Sequence, residues 1–155
     1  MLKCLVKWFF GGLLALIFVV FIWSGVMRQL AFSELCQLVD RADELVVHEG
    51  PLFDDGKTLF TSRTLKDRTE LKKAMAVAFW SIDDECTCFG RGTPVIFLYR
   101  ESKELTAITN LHFKSIRWST WQTDARLRNP EKWFEWFEVR GIIELSKEYN
   151  KKRGL

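Results

Sequence analysis

The sequence lacks any recognisable catalytic motif. It contains neither the G-x-S-x-G and H-E-x-x-H patterns of hydrolases nor a P-loop or a Rossmann glycine pattern. It also has no internal repeat, no low-complexity tract and no linker rich in Pro, Gly and Ser. These absences favour a protein that is not an enzyme and that folds as one unit.

An excess of one charge is also missing. Apart from Lys3 and Lys7, 21 Lys and Arg residues stand beside 20 Asp and Glu residues. Basic residues are concentrated at 147–153, but Glu144 and Glu148 lie beside and among them, as on a solvated helix end. We therefore predict no nucleic-acid partner, because binding to a phosphate backbone needs a clear basic surface.

The sequence does contain one long apolar run, at residues 8–27. All twenty residues are uncharged. At ~1.5 Å of rise per residue, a helix of this length measures about 30 Å, the thickness of a bilayer's hydrocarbon core. A buried helix of a small domain would need a polar face, which this run lacks. Trp8 and Trp23 lie near its ends, where indole rings favour the headgroup level.

A cleaved signal peptide is the competing interpretation of this run. Signal peptides have roughly 7–15 apolar residues before a small-x-small cleavage site. This run is longer, and the nearest such triplet, Ala31-Phe32-Ser33, lies beyond Arg28. We therefore predict an uncleaved membrane anchor at residues 1–28, followed by a single domain at 29–155 whose core spans roughly 58–141.

The distribution of basic residues predicts the orientation of the anchor. Lys3, Lys7 and the α-amino group precede the span, whereas Arg28 and Arg41 are the bases that follow it closely. The positive-inside tendency then places the amino terminus in the cytoplasm and the domain on the extracytoplasmic side.

The rest of the chain predicts an α+β fold. Apolar residues recur at helical spacing from 30 to 45, so a helix should continue from the anchor. Residues 45–48 and 58–61 are strand-like and flank a turn, which predicts a hairpin. Asp67 and Glu70 are spaced as a capping pair that opens a helix.

The second half of the chain predicts a sheet and a final helix. Residues 95–99 are a continuous apolar run, as in a central strand, and apolar residues alternate with more polar ones at 105–113, 116–118 and 121–127. Together these segments indicate a four-strand antiparallel meander. Asn129 and Pro130 form a typical helix start. The aromatic residues at 133–137 occupy one side of that helix and should pack on the sheet. Gly141 should end it, with a last helix at 142–153.

The candidate metal or disulfide residues are cysteines and one histidine. Cys86 and Cys88 place two thiols two residues apart before Gly90. A zinc site would need further ligands, for which the candidates are Cys36, His48 and His112, and nothing in the spacing requires them to converge. On the extracytoplasmic side a disulfide from Cys36 to Cys86 or Cys88 is the simpler alternative, and packed thiols are a third.

A possible polar-face site lies on the predicted meander. Arg117, Asp124 and Arg126 lie on adjacent strands, and the two arginines together could bind an anion. His112 with Asp124 is the pairing that general acid–base chemistry would use. A surface histidine with ordinary partners explains His112 better, and no catalytic residue is assigned.

Residues 60–141 resemble a family of small uncharacterised bacterial domains. The resemblance is carried by a C-x-C-x-G pattern at Cys86–Gly90 and an L-H-x-x-S-I-R-W pattern at Leu111–Trp118. It implies a bacterial origin and a single folded unit, and it implies no activity. Members of that family often have a second histidine where this chain has Phe113, which argues against chemistry by a histidine pair.

Two function classes follow from these observations. The first is a non-catalytic, membrane-tethered interaction domain, whose partners would be the bilayer and another membrane or envelope protein. The second is a thiol or metal-binding site built on Cys86 and Cys88. We expect no cofactor in the first case and a metal ion at most in the second.

Overall fold

The computed structural model describes residues 2–50, 56–78, 94–111, 114–121, 124–144, 147 and 151. The fold is α+β, as predicted: a long apolar helix is followed by an antiparallel sheet with helices. Within these ranges the elements are α1 (Leu2–Arg41), β1 (Glu44–Glu49), β2 (Lys57–Ser62), α2 (Leu65–Ala74), β3 (Val95–Arg100), β4 (Lys103–Leu111), β5 (Ser115–Trp118), β6 (Ala125–Arg126) and α3 (Pro130–Glu138).

Helix α1 runs without a break from the apolar run into the domain. Large apolar side chains between Leu13 and Met27 are exposed, and the helix is long and apolar enough to cross a membrane. Towards its carboxyl end, Leu35 and Val39 are completely buried in the core. The prediction that a helix continues directly from the apolar run into the domain is therefore confirmed.

The sheet has six antiparallel strands in the order β2-β1-β3-β4-β5-β6. The predicted meander corresponds to β3, β4, β5 and β6, and the predicted hairpin corresponds to β1 and β2. Both are confirmed. The hairpin joins the meander through β1, which pairs with β3 as well as with β2, so one continuous sheet results.

The core lies on one face of this sheet, under the three helices. Alternate residues of each strand point to opposite faces. Val95, Ala107 and Thr109 are buried on one face, and the main hydrophobic cluster is formed by the set of residues on the other face. Helices α1, α2 and α3 cover that set. The strand residues in the core include Leu45 and Val47 of β1, Ile96 and Leu98 of β3, Ile108 of β4, and Ile116 and Trp118 of β5.

The aromatic side of α3 packs on the sheet, as predicted. Trp133 and Phe137 are fully buried, and their rings meet edge to face at 5.1 Å. The indole Nε1 of Trp133 donates a 2.9 Å hydrogen bond to Asn110 Oδ1 in β4. An indole that is buried this deeply needs such an acceptor, so the bond fixes the position of α3 over the sheet.

The two short helices begin at side-chain caps. Asn129 Oδ1 accepts a hydrogen bond from Lys132 N, which confirms the predicted start of α3. The predicted start of α2 is wrong, because Thr64 is its N-cap and Asp67 is the third helical residue. The sequence T-x-x-D therefore forms the capping arrangement that we had assigned to Asp67 and Glu70.

A tight turn between β3 and β4 is tied to the end of α1. Glu101 and Ser102 both have positive φ, at 51° and 63°, although neither is glycine. Asp43, which follows α1, accepts a 2.7 Å hydrogen bond from Glu101 N and donates its own N–H to Tyr99 O at 2.9 Å. These bonds hold the turn in a conformation that side chains disfavour.

Candidate functional site

Arg117 and Asp124 form an ion pair on β5 and the segment before β6. Arg117 Nε and Nη2 each lie 2.6 Å from Asp124 Oδ1. The Asp124 side chain is only 5% exposed and that of Arg117 is 25% exposed. Because a buried carboxylate is stable only when its charge is compensated, Arg117 is the structural partner of Asp124.

The remaining polar-face residues do not complete a catalytic arrangement in the described part of the chain. Arg126 is exposed and lies opposite Ser115, on the same sheet face as Arg117. An anion bound by both arginines would have to compete with Asp124 for Arg117. His112 lies outside the described residues, so its predicted pairing with Asp124 stays a prediction.

Of the three candidate cysteines, the structure describes only Cys36. Cys86 and Cys88 lie outside the described residues, and so does any contact that they make. Cys36 is a free, half-buried thiol on α1. Burial raises the pKa of Cys36, and the negative charge of Asp40 raises it further. The positive charge of Lys72 lowers it, but the net effect is a raised pKa. Cys36 is therefore a poorer nucleophile and metal ligand than an exposed thiol.

The remaining residues selected from the sequence are His48, Trp8 and Trp23. His48 Nδ1 lies 3.2 Å from Gly56 O, and its ring meets Phe97 edge to face at 5.2 Å. No group of three or more metal-ligating side chains converges among the described residues. Trp23 is 67% exposed on α1, and Trp8 lies on the same helix with its side chain outside the described part.

The most highly connected charged residue is one that the sequence did not suggest. Arg140 follows α3, and its side chain is only 6% exposed. Its Nη2 lies 2.5 Å from Asp67 Oδ1 and 2.6 Å from Glu70 Oε2, both on α2. The guanidinium carbon lies 4.1 Å from the ring centroid of Trp136. One buried cation thus joins α2 to α3.

Asp67 is the centre of this network. It accepts hydrogen bonds from the hydroxyls of Ser62 and Thr64 and from Arg140. Burial raises the pKa of Asp67, but these hydrogen bonds and the charge of Arg140 together outweigh it, so the pKa lies below the usual value of an aspartate. Asp67 therefore remains ionised near neutral pH and serves as a structural anion.

A groove of about 280 Å³ lies beside Arg140, between α2 and α3. Its floor contains Trp136 and Ala74, and the exposed side chain of Val139 lies at its edge. The groove is lined by both acids and bases, namely Glu70, Lys73, Lys132, Glu135 and Arg140. The mixture of charges gives it no single sign, so it does not resemble a site for a metal or for an anion.

Local sequence reasoning missed the Arg140 network because its members are distant in the chain. Arg140 and Asp67 are separated by 73 residues. The T-x-x-D spacing at Thr64 was the one readable indication that Asp67 has a structural role. The pairing with Arg140 depends on how α2 and α3 pack, which no local pattern encodes.

Comparisons with protein-family models, with curated proteins and with solved structures gave no match to this chain. The resemblance of residues 60–141 to small bacterial domains therefore stays a prediction from the two motifs.

Proposed function

We propose that this chain is a single-pass membrane protein whose residues 29–155 form a non-catalytic interaction domain held at the membrane surface. Its partners would be the bilayer itself and another membrane or envelope protein. The bacterial origin and the signal-anchor character of residues 1–28 belong to this proposal.

The continuity of α1 is the observation that carries the proposal. One helix contains both the exposed apolar run and the buried residues Leu35 and Val39. A helix with a fully apolar, exposed surface is stable in lipid and costly in water. Because no linker separates the apolar run from the buried part of α1, the domain cannot move away from the membrane. It therefore stays within reach of a partner in the same membrane.

The charge asymmetry around the span supports an extracytoplasmic domain. Lys3 and Lys7 lie before the span, and Arg28 and Arg41 follow it. The segment before the span has one positive charge more than the segment after it, and this extra charge is that of the α-amino group. We therefore test topology separately from anchoring.

Two measurements test the proposal. The full chain should remain with membranes after alkaline extraction, and mass spectrometry should find residues 1–28 still attached. A reporter that is active only outside the cytoplasm, fused after Leu155, should be active, and a cytoplasmic reporter silent. A mature terminus near Glu34 would refute the anchor, and reversed reporters would refute the topology alone.

A rigid connection to the domain can also be tested. A short Gly-Ser insertion between Leu30 and Ala31 would free the domain from the direction of α1. If a partner binds beside the membrane, this insertion should reduce cross-linking of the domain to its membrane partner in native membranes. The matched control is the same insertion at Gly56, beside the β1–β2 connection. An unchanged adduct in both variants would contradict a position-dependent interaction.

A further inference from the structure

Strand β1 runs back along α1 towards the apolar run. Only Ala42 and Asp43 separate the two elements. Phe32 of α1 packs against the same core that contains Leu45 and Val47 of β1. A strand that continued in the direction of the helix would carry Val47 away from Phe32. The chain therefore reverses at Asp43, and β1 returns towards the start of the domain.

The lengths of the two elements agree with this reversal. The six residues of β1 cover about 20 Å at about 3.3 Å each, and the helix from Arg28 to Arg41 covers about the same distance at about 1.5 Å per residue. Gly25 is buried, although Gly11 and Gly12 of the same helix are exposed. The folded chain therefore reaches α1 at the level where the apolar run ends.

One end of the sheet lies at that level, and we call it the basal end. Register places Glu49, the last residue of β1, opposite Lys57, the first residue of β2. Because all strand pairs are antiparallel, the basal end also contains the start of β3, the end of β4 and the start of β5. Arg126, at the end of β6, lies opposite Ser115 at the start of β5.

Three exposed cations at the basal end have no ion pair in the described part of the chain. They are Lys57, Lys114 and Arg126. Glu49, which pairs in register with Lys57, is an acid at the same end. The end is thus mixed in charge, but within the described residues its strand termini present ammonium and guanidinium groups that form no ion pair.

The opposite end of the sheet also has exposed cations. Arg63 Nη2 lies 3.5 Å from Glu44 Oε1, and Arg100 Nε lies 3.9 Å from Glu101 Oε1. Lys103, the first residue of β4, is exposed there and has no ion pair among the described residues. What distinguishes the cations of the basal end is therefore their position beside the apolar run of α1.

We propose that the basal end of the sheet rests on the headgroup layer and that Lys57, Lys114 and Arg126 pair with phosphate groups of phospholipids. The inference rests on the proposed membrane insertion of α1. Beyond the apolar run, partial burial on α1 begins at Gln29, about 3 Å of helix rise beyond Met27. The headgroup layer is itself about 5–7 Å thick on each side. The basal end therefore meets the headgroups, whose phosphates are the anions available at that depth.

The test is acylation of lysines by a water-soluble amine reagent, measured residue by residue by mass spectrometry on the full chain. Phospholipid nanodiscs are compared with maltoside micelles, whose sugar headgroups carry no phosphate. In nanodiscs, Lys57 and Lys114 should react about fivefold more slowly relative to Lys103 than they do in micelles. Lys103 is the matched control, because it is exposed and lies at the opposite end of the sheet.

Two substitutions of exposed residues sharpen the result. Arg126→Gln should raise the reactivity of Lys57 and Lys114 in nanodiscs, because it removes one of the three lipid contacts, whereas Arg100→Gln should leave it unchanged. Equal lysine ratios in nanodiscs and micelles would overturn the inference and leave membrane insertion intact. Failure of the chain to enter nanodiscs at all would overturn the proposed function and this inference together.

Discussion

Arg140 and Asp67 form a two-bonded ion pair across 73 residues of sequence. Arg140 Nε lies 3.0 Å and Nη2 2.5 Å from Asp67 Oδ1. The pair connects the residue that follows α3 to the first turn of α2, and Arg140 Nη1 also donates to Trp136 O at 2.8 Å. One guanidinium therefore sets the distance between two helices that are joined by the whole meander.

We expect Arg140→Leu to lower the free energy of unfolding by about 3 kcal/mol, because it leaves the partly buried Asp67 and Glu70 without their cation. Arg140→Lys should lose less, since it keeps the charge but cannot donate in a fork or stack on Trp136 as a guanidinium does. Denaturant unfolding of the full chain in micelles, followed by tryptophan fluorescence, measures both. Equal losses in the two variants would show that packing of the side chain, and not its charge, is what matters.

The lowered pKa of Asp67 predicts how stability depends on pH. A carboxylate whose pKa is depressed in the folded state stabilises the fold fully above its unfolded pKa of about 4. That stabilisation is lost as the pH falls through the lower, folded pKa. Asp67→Asn should therefore be less stable than the parent at neutral pH, and the two stability curves should converge in acid.

Ser62→Ala offers a second measurement on the same carboxylate. It removes one of the hydrogen bonds that lower the pKa of Asp67. The acid limb of its stability curve should therefore shift to higher pH than that of the parent. An unshifted limb would indicate that the remaining contacts, from Thr64 and Arg140, determine the pKa alone.

The β3–β4 turn predicts a stabilising substitution. Ser102 has φ of 63°, a region that glycine occupies without steric cost. Ser102→Gly should raise the free energy of unfolding by about 0.5–1 kcal/mol, because the relief of backbone strain exceeds the added entropy of the unfolded chain. Thr120→Gly, in an exposed turn outside the positive-φ region, should destabilise and is the control. Thermal unfolding distinguishes the two directions.

The buried bond between Trp133 and Asn110 predicts an asymmetric pair of variants. Asn110→Ala should cost about 2–3 kcal/mol, because the indole N–H is then buried without that acceptor. Trp133→Phe removes the donor and fills most of the space, so it should cost less, about 1–2 kcal/mol. Combining the two should cost less than the sum, which a double-mutant cycle in micelles would measure.

Periodic features of the sequence predicted most of the fold. The continuous apolar run at 95–99 and the alternation between 105 and 127 predicted the meander, because successive side chains of a strand point to opposite faces of the sheet. Asn129 and Pro130 predicted the start of α3 because capping is a contact between near neighbours. Because capping is local, Thr64 could also have been recognised as the cap of α2 from its spacing to Asp67. We chose Asp67 instead, because Asp67 and Glu70 have the same three-residue spacing.

The contacts of the candidate site were less predictable, for a physical reason. Arg117, Asp124 and Arg126 were selected as one possible polar-face site, but Asp124 was paired with His112 and not with Arg117. The ion pair between Arg117 and Asp124 depends on how β5 meets the segment before β6. Arg140 had no local pattern at all, since its partners lie on a helix that precedes the meander. Packing of distant elements decides such pairs, and only the folded chain brings them together.

If α1 spans a membrane as proposed, its continuity from Leu2 to Arg41 also couples the domain to the thickness of the bilayer. A span that is longer than the local hydrocarbon layer tilts to keep its apolar residues in lipid. Since α1 enters the core as the same straight element, a tilt of the span inclines the sheet by the same angle. In a thinner membrane the sheet would lean over, and in a thicker one it would stand upright, so the surface offered to a neighbour changes with the lipids around it.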